Sequence, residues 1–196
     1  MATLAYFGTV TMETEAAEIA RGLRKRDPDL LTRLIEQYQH RLFRYLLHLC
    51  GERQLAEDLF QETWLRVLER GGTYDGESRF STWLFSLARH LVIDTYRRRR
   101  PLSLDSLSEP EEGEPLQVAD ERPTPFEQAL SAEERNQVTA CLAVLPPAYR
   151  EVLVLRFQEE LSLEEIAEVA AIPLSTVKSR LYRAMEHLGK KLENQA

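Results

Sequence analysis

Cysteine is scarce. The chain has two, Cys50 and Cys141. Two cannot build a disulfide framework, and neither has a second cysteine at metal-ligand spacing. No apolar run approaches the ~18 residues a membrane span needs. The opening stretch MATLAYFGTVTMETE lacks the basic start and long apolar core of a secretory signal. Eight Gly and nine Pro exclude a collagen-like or low-complexity chain. Good strand runs are absent. So are a Gly-rich phosphate loop, a His/Cys metal set and a nucleophile–base pairing. His40, His48, His90 and His187 are scattered and read as surface or packing residues. These absences exclude a secreted scaffold and a membrane span and count against an enzyme. They predict no cofactor, no small-molecule substrate, no metal site, and a cytoplasmic protein.

What is present is charge, unevenly distributed. The net charge is −7 over 196 residues, with 43% hydrophobic and 29% charged. That composition fits one medium or two small globular domains. Residues 15–100 are net +3, whereas residues 101–134 are net −9. Five of the nine prolines fall in 101–126, PLSLDSLSEPEEGEPLQVADERPTPF, among Ser and Glu. Such a stretch cannot bury enough apolar surface to offset its ordering entropy. It reads as a flexible acidic linker, either a passive tether or an active element. The expected architecture is all-α: an extension over 1–14, a helical domain over 15–100, the linker 101–126, and a second helical domain over 127–196.

The spacing predicts helices on both sides. Leu31, Leu34, Tyr38, Leu42, Tyr45, Leu46 and Leu49 recur at steps of three and four over 30–50, and Gly51 is a stop. A helix over 53–70 puts Ala56, Phe60, Trp64, Val67 and Leu68 on one face. A polar loop over 73–79 leads to a helix over 80–99, and a weaker helix covers 14–26. Further helices are expected over 127–144, 147–158, 162–169 and 175–192.

The last two make a helix-turn-helix. Ser162 is a candidate N-cap with Glu164 and Glu165 in the first turn, and Ser175 can cap the second helix. At 100° per residue, Val177, Leu181, Ala184, Met185, Leu188 and Leu192 share one side of that second helix. Thr176, Ser179, Arg183 and Lys190 lie opposite, with Lys178 and Arg180 on the flanks. Hydroxyl and cationic donors at that end suit base edges and phosphates. An ordinary helical hairpin with a solvated basic face is the plainer reading.

Helix 53–70 turns Asp58, Gln61, Glu62 and Glu69 outward, with Leu65 in their midst. An acidic stripe is usually plain solvated surface, but an apolar anchor ringed by polar groups points to a protein interface. Asp58 and Glu62 alone, with no His at i+3, are a poor metal set. Helix 80–99 ends in Arg97–Arg100, with Arg89, His90 and Tyr96 nearby, a combination suited to nucleic acid.

Three stretches, in order and split by the acidic linker, resemble bacterial RNA polymerase sigma factors of the extracytoplasmic-function (ECF) group. They are AEDLFQETWLRVLER at 56–70, YDGESRFSTWLFSLARHLVIDTYRRRR at 74–100, and the run from Leu145 to Leu188. The resemblance spans roughly residues 17–193. It implies that Asp58, Gln61, Glu62 and Leu65 face the β′ coiled-coil of core RNA polymerase, with the β flap a further contact. It implies that Tyr74, Asp75, Gly76, Glu77, Ser78, Arg79, Arg89, His90, Arg97 and Arg98 engage the −10 element, where a base is flipped from the strand. Ser175, Thr176, Lys178, Ser179, Arg180 and Arg183 would read the −35 element. The linker would thread toward the polymerase channels. An anti-sigma factor is an implied partner, beside core polymerase and promoter DNA. Trp83 either packs the core or lines the melted strand. His90 stands where Asn is common, and Met185 and Gly189 where Arg is frequent. Residues before Met12 match nothing in the family, which makes Met12 a second candidate start. The rival reading is a stand-alone helix-turn-helix regulator that binds duplex DNA without polymerase.

Overall fold

A computed structural model describes residues 15–99, 140–142 and 144–193. The expected extension 1–14, the linker 101–126 and most of the expected helix 127–144 lie outside these residues. No strand occurs among the described residues, and none of their helices is long and apolar enough to cross a membrane. Helix α1 covers residues 15–25. Helices α2 (Pro28–Cys50), α3 (Arg53–Arg70) and α4 (Phe80–Arg99) complete the N-terminal half. The C-terminal half holds α5 (Pro147–Leu153), α6 (Leu163–Ala170) and α7 (Leu174–Glu193).

Local chemistry sets the boundaries. The Asp27 side chain accepts from the backbone N–H groups of Asp29 and Leu30, and Pro28 fills the first helical position. Gly51, at φ 71°, ends α2 and returns its N–H to the Leu47 carbonyl. At the start of α6, Ser162 and Glu165 cap each other's backbone N–H reciprocally. The expected helix 147–158 is α-helical only to Leu153. Val154–Gln158 then widens into a π-turn.

Two expected faces need correction. Leu68 is exposed, and α3 instead buries Leu55, Leu59 and Thr63 beside Ala56, Trp64 and Val67. Met185 is also exposed, because Val177 and Ala184 carry the buried side of α7.

The halves share one core. Leu42, Tyr45, Leu46, Leu84 and Phe85 of α2 and α4 belong to the same apolar cluster as Val152, Leu155, Ile166, Val169 and Val177. Helix α2 packs against α5, and α4 against α6. The seam is also charged. Arg150, 2% exposed, donates to the carbonyls of Leu142, Leu145 and, across the seam, His48, each at 2.9 Å. Neighbouring Glu151 is 5% exposed. It accepts from the Tyr45 hydroxyl at 3.0 Å and from Arg89 Nε at 2.7 Å. Arg41 Nε meets Glu159 at 2.7 Å, and Thr82 Oγ1 donates to Glu165 at 3.3 Å.

The loop between α3 and α4 is pinned to α1. Gly76 has φ 85°, and a Cβ there would lie 3.1 Å from the Ala16 carbonyl oxygen. Gly76→Ala should therefore cost about 1 kcal/mol or more in urea denaturation. Arg150→Met should cost about 3 kcal/mol in the same measurement, because it removes the buried guanidinium from the Leu145 and His48 carbonyls and leaves the Leu142 carbonyl only the Leu145 N–H. A loss below about 1 kcal/mol for Arg150→Met would contradict its role as a staple.

Candidate nucleic-acid and polymerase interface

Helix α3 presents its acidic face to solvent. Asp58 and Gln61 are exposed, and Glu62 is half-buried. Leu65, 53% exposed, sits among them, joined by Leu68 at 50%. The inner side of the helix is held by Leu55, Leu59 and Val67, which fixes the direction of the outer side. Glu62 is tied to Arg66 Nε at 2.9 Å, an i,i+4 pair that leaves Asp58 the more available carboxylate. Gln54 Nε2 reaches Asp58 Oδ1 at 3.4 Å. Leu68 is an apolar surface residue that helical periodicity assigned to the wrong side.

The loop from Tyr74 to Arg79 is built from inside. Tyr74 is 1% exposed and donates its hydroxyl to the Ser78 carbonyl at 2.6 Å. Its ring lies 5.7 Å from that of Phe80 and 5.4 Å from that of Trp83. Burial raises its phenol pKa above the ordinary value. Tyr74 thus anchors the loop from within. The aromatic spacing that made it conspicuous serves packing. Trp83 is half-buried against the same rings.

Asp75 and Glu77 are exposed, and Asp75 Oδ1 accepts the Glu77 N–H at 3.0 Å, an Asx turn. Ser78 and Gly76 are half-buried, whereas Arg79 is exposed with Nε 3.8 Å from Glu165. Along α4 the expected nucleic-acid residues split. Arg97 and Arg98 are exposed at the helix end, and His90 is exposed with Nδ1 2.7 Å from the Ser86 carbonyl. Arg89 is not exposed. Its side chain is 15% accessible and paired with Glu151. Arg99 also reaches Glu52 at 3.6 Å.

On α7, Ser175, Lys178, Ser179 and Arg183 are exposed, and Thr176 and Arg180 are half-buried. Val177 and Ala184 anchor the opposite side at 0% exposure. Ile166 and Val169 of α6 are fully buried, with Ile172 and Leu181 packed against the same core. This fixes the crossing that the helix-turn-helix reading predicts. Ser179 Oγ donates to the Thr176 carbonyl at 3.0 Å, so one of the hydroxyls is turned back onto the helix. Arg183 has its pKa raised by a hydrogen bond to Tyr149 of α5. Tyr182, 74% exposed, stands beside these donors and was not singled out by donor chemistry.

The described residues therefore present three separate candidate surfaces. One is anionic with leucine on α3. Another is cationic at the end of α4. The third, on α7, combines hydroxyl and cationic groups.

Comparison with known proteins agrees with this layout. Residues 34–101 match the family described as Sigma-70 region 2, and residues 135–188 match Sigma-70, region 4. The chain is similar to the ECF RNA polymerase sigma factor SigW of Bacillus subtilis (strain 168), at 32% identity over 186 residues. That match covers 93% of this chain and 100% of SigW. It is 30% identical over 186 residues to the ECF RNA polymerase sigma-E factor of Haemophilus influenzae, covering 92% of this chain and 96% of that one. Among solved structures, CnrH bound to the cytosolic domain of CnrY has the same fold, with a TM-score of 0.64 and 20% identity. The superposition covers 92% of this chain and 99% of CnrH. The sigma factor RpoE of Bartonella quintana, co-crystallised with the anti-sigma factor NepR, gives a TM-score of 0.62 at 22% identity, over 83% and 96% of the two chains. The chain belongs to the ECF RNA polymerase sigma factors, the proteins that direct RNA polymerase to its promoters.

Proposed function

We propose that the three surfaces divide the work of this sigma factor. The α3 face, with Asp58, Gln61, Glu62 and Leu65, docks on the basic β′ coiled-coil of core polymerase. Asp75, Gly76, Glu77, Ser78 and Arg79 of the loop, with Arg89, His90, Arg97 and Arg98 of α4, hold the melted −10 strand. Tyr74 and Trp83 set the shape of that loop from within. Ser175, Thr176, Lys178, Ser179, Arg180 and Arg183 of α7 read the −35 element in duplex DNA, and the same half approaches the β flap. Residues 15–100 and 127–196 act as the two functional units, with 101–126 as the acidic connection between them.

One observation carries the reading. The polar and cationic side of α7 is open to solvent while Val177 and Ala184 lock its other side into the core. A recognition helix needs that arrangement, because base edges are read by donors held on a rigid support. The protein performs no bond chemistry. It supplies binding energy and position, and polymerase supplies the reaction. It works in the cytoplasm, where polymerase and DNA are. An anti-sigma factor is a further partner, a reading supported by the shared fold with two sigma factors solved in complex, one with the anti-sigma factor NepR and one with CnrY.

Charge reversal at Asp58 and Glu62 (Asp58→Lys with Glu62→Lys) should abolish co-purification with core polymerase while leaving the circular dichroism spectrum unchanged. Retained association would contradict the docking role. Replacing Lys178, Arg180 and Arg183 together by Ala should weaken promoter binding by the holoenzyme. The slope of log affinity against log salt should fall by about one per lost phosphate contact. An unchanged slope would remove these residues from the −35 surface.

A further inference from the structure

A cavity of about 210 Å³ opens where the first turns of α1, the middle of α2, the start of α4 and the chain after the π-turn meet. It shares only Arg79 with the three surfaces described above. Its charged lining is unbalanced, with Glu15, Glu159 and Glu160 set against Arg41 and Arg79. Both cations already have carboxylate partners. Arg41 Nε lies 2.7 Å from Glu159 Oε2, and its Nη2 donates to the Glu159 carbonyl at 3.3 Å. Arg79 Nε lies 3.8 Å from Glu165.

Glu159 is the residue that points to a ligand. It is 2% exposed. Arg41 answers one of its carboxylate oxygens, but Oε1 is buried with no hydrogen-bond partner among the described residues. A buried acceptor left unanswered is costly, and an ionised one more so. Burial outweighs Arg41 and raises the Glu159 carboxyl above its ordinary pKa. A second positive charge at Oε1 offsets that burial. The next residue, Glu160, has φ 55°, and this left-handed turn brings consecutive carboxylates to one cavity.

Size and chemistry narrow the ligand. Among the described residues no three His, Cys, Asp or Glu are placed to hold a metal ion. The volume matches about seven waters of bulk liquid. It falls below the ~300 Å³ at which pockets for drug-sized molecules begin. Ile19 and the ring of Tyr38, both buried, offer an apolar wall to a short methylene chain. An anion is opposed by the three carboxylates.

We propose that this cavity binds a short aliphatic diamine, one ammonium group donating to Glu159 Oε1 and the other balanced by Glu15 and Glu160. The site goes beyond the promoter-directing role and is independent of the residues assigned to polymerase and DNA.

The test is isothermal titration calorimetry of the full chain with putrescine at fixed ionic strength. It should show one saturable site per chain. Glu159→Gln keeps the side-chain shape and removes the charge, and should weaken binding at least about tenfold. Glu15→Gln alters only an exposed position, so it leaves folding intact, and should weaken binding about threefold. Glu164→Gln with Glu168→Gln removes two charges from exposed sites of α6 outside the cavity and should leave the affinity unchanged. Absence of saturable binding up to about 10 mM would overturn the proposal. So would equal affinity in the wild-type chain and both cavity variants. Magnesium chloride that binds as tightly, with the same response to Glu159→Gln, would also overturn it by marking a diffuse anionic patch.

Discussion

Arg150 and Glu151 are neighbours in the sequence, and both are buried. A buried charge is tolerated only when its donors or acceptors are answered. Here the answers lie on another part of the chain: the His48 carbonyl for Arg150, and Tyr45 with Arg89 for Glu151. Apolar packing brings α5 against α2, but the two charges specify where it stops. Burial and the adjacent Glu151 hold the Tyr45 phenol well above its ordinary pKa, so it remains a donor at any physiological pH. Glu159 shows the opposing forces. Its burial raises the carboxyl above the usual range even though Arg41 pulls it down. Such pairs cost much desolvation and return little net stability. A seam made of them is specific in geometry while adding little net stability.

Most helix boundaries were legible, and the reasons are local. Asp27–Pro28 and Gly51 bracket α2, Pro173 separates α6 from α7, and Ser162 with Glu165 forms the cap that their spacing predicts. Periodicity failed where a helix has more than one covered side. Leu68 and Met185 have the right spacing for the core but face solvent, because Leu55, Leu59 and Thr63 on α3, and Val177 and Ala184 on α7, already fill the contacts. The π-turn at Val154–Gln158 follows from tertiary fit. No residue in VLRFQ announces it.

The exposure of the candidate faces was legible from helical geometry. The acidic and leucine face of α3 and the donor side of α7 are both at the surface, as helical geometry places them. The seam was not legible, because Arg41, Arg89, Glu151 and Glu159 look like solvated surface in a linear sequence. A charged residue declares itself buried only through its partner, and Glu159 and Arg41 are 118 residues apart. Tyr74 shows the converse: its loop position reads as surface in the sequence, yet its ring is buried against Phe80 and Trp83. The sequence-level resemblance to ECF sigma factors, by contrast, is matched by family and relatives over nearly the whole chain.

The central claim is that this chain directs RNA polymerase to promoters, with the division of work proposed for its α3, α4 and α7 surfaces. The most direct measurement is start-site mapping in vitro on a promoter library, with core polymerase in the presence and absence of the full chain. The account expects start sites that appear only with the chain, each preceded by two short sequence elements at a constant separation near 25 base pairs. Folded protein that leaves the start sites of core polymerase unchanged would contradict it.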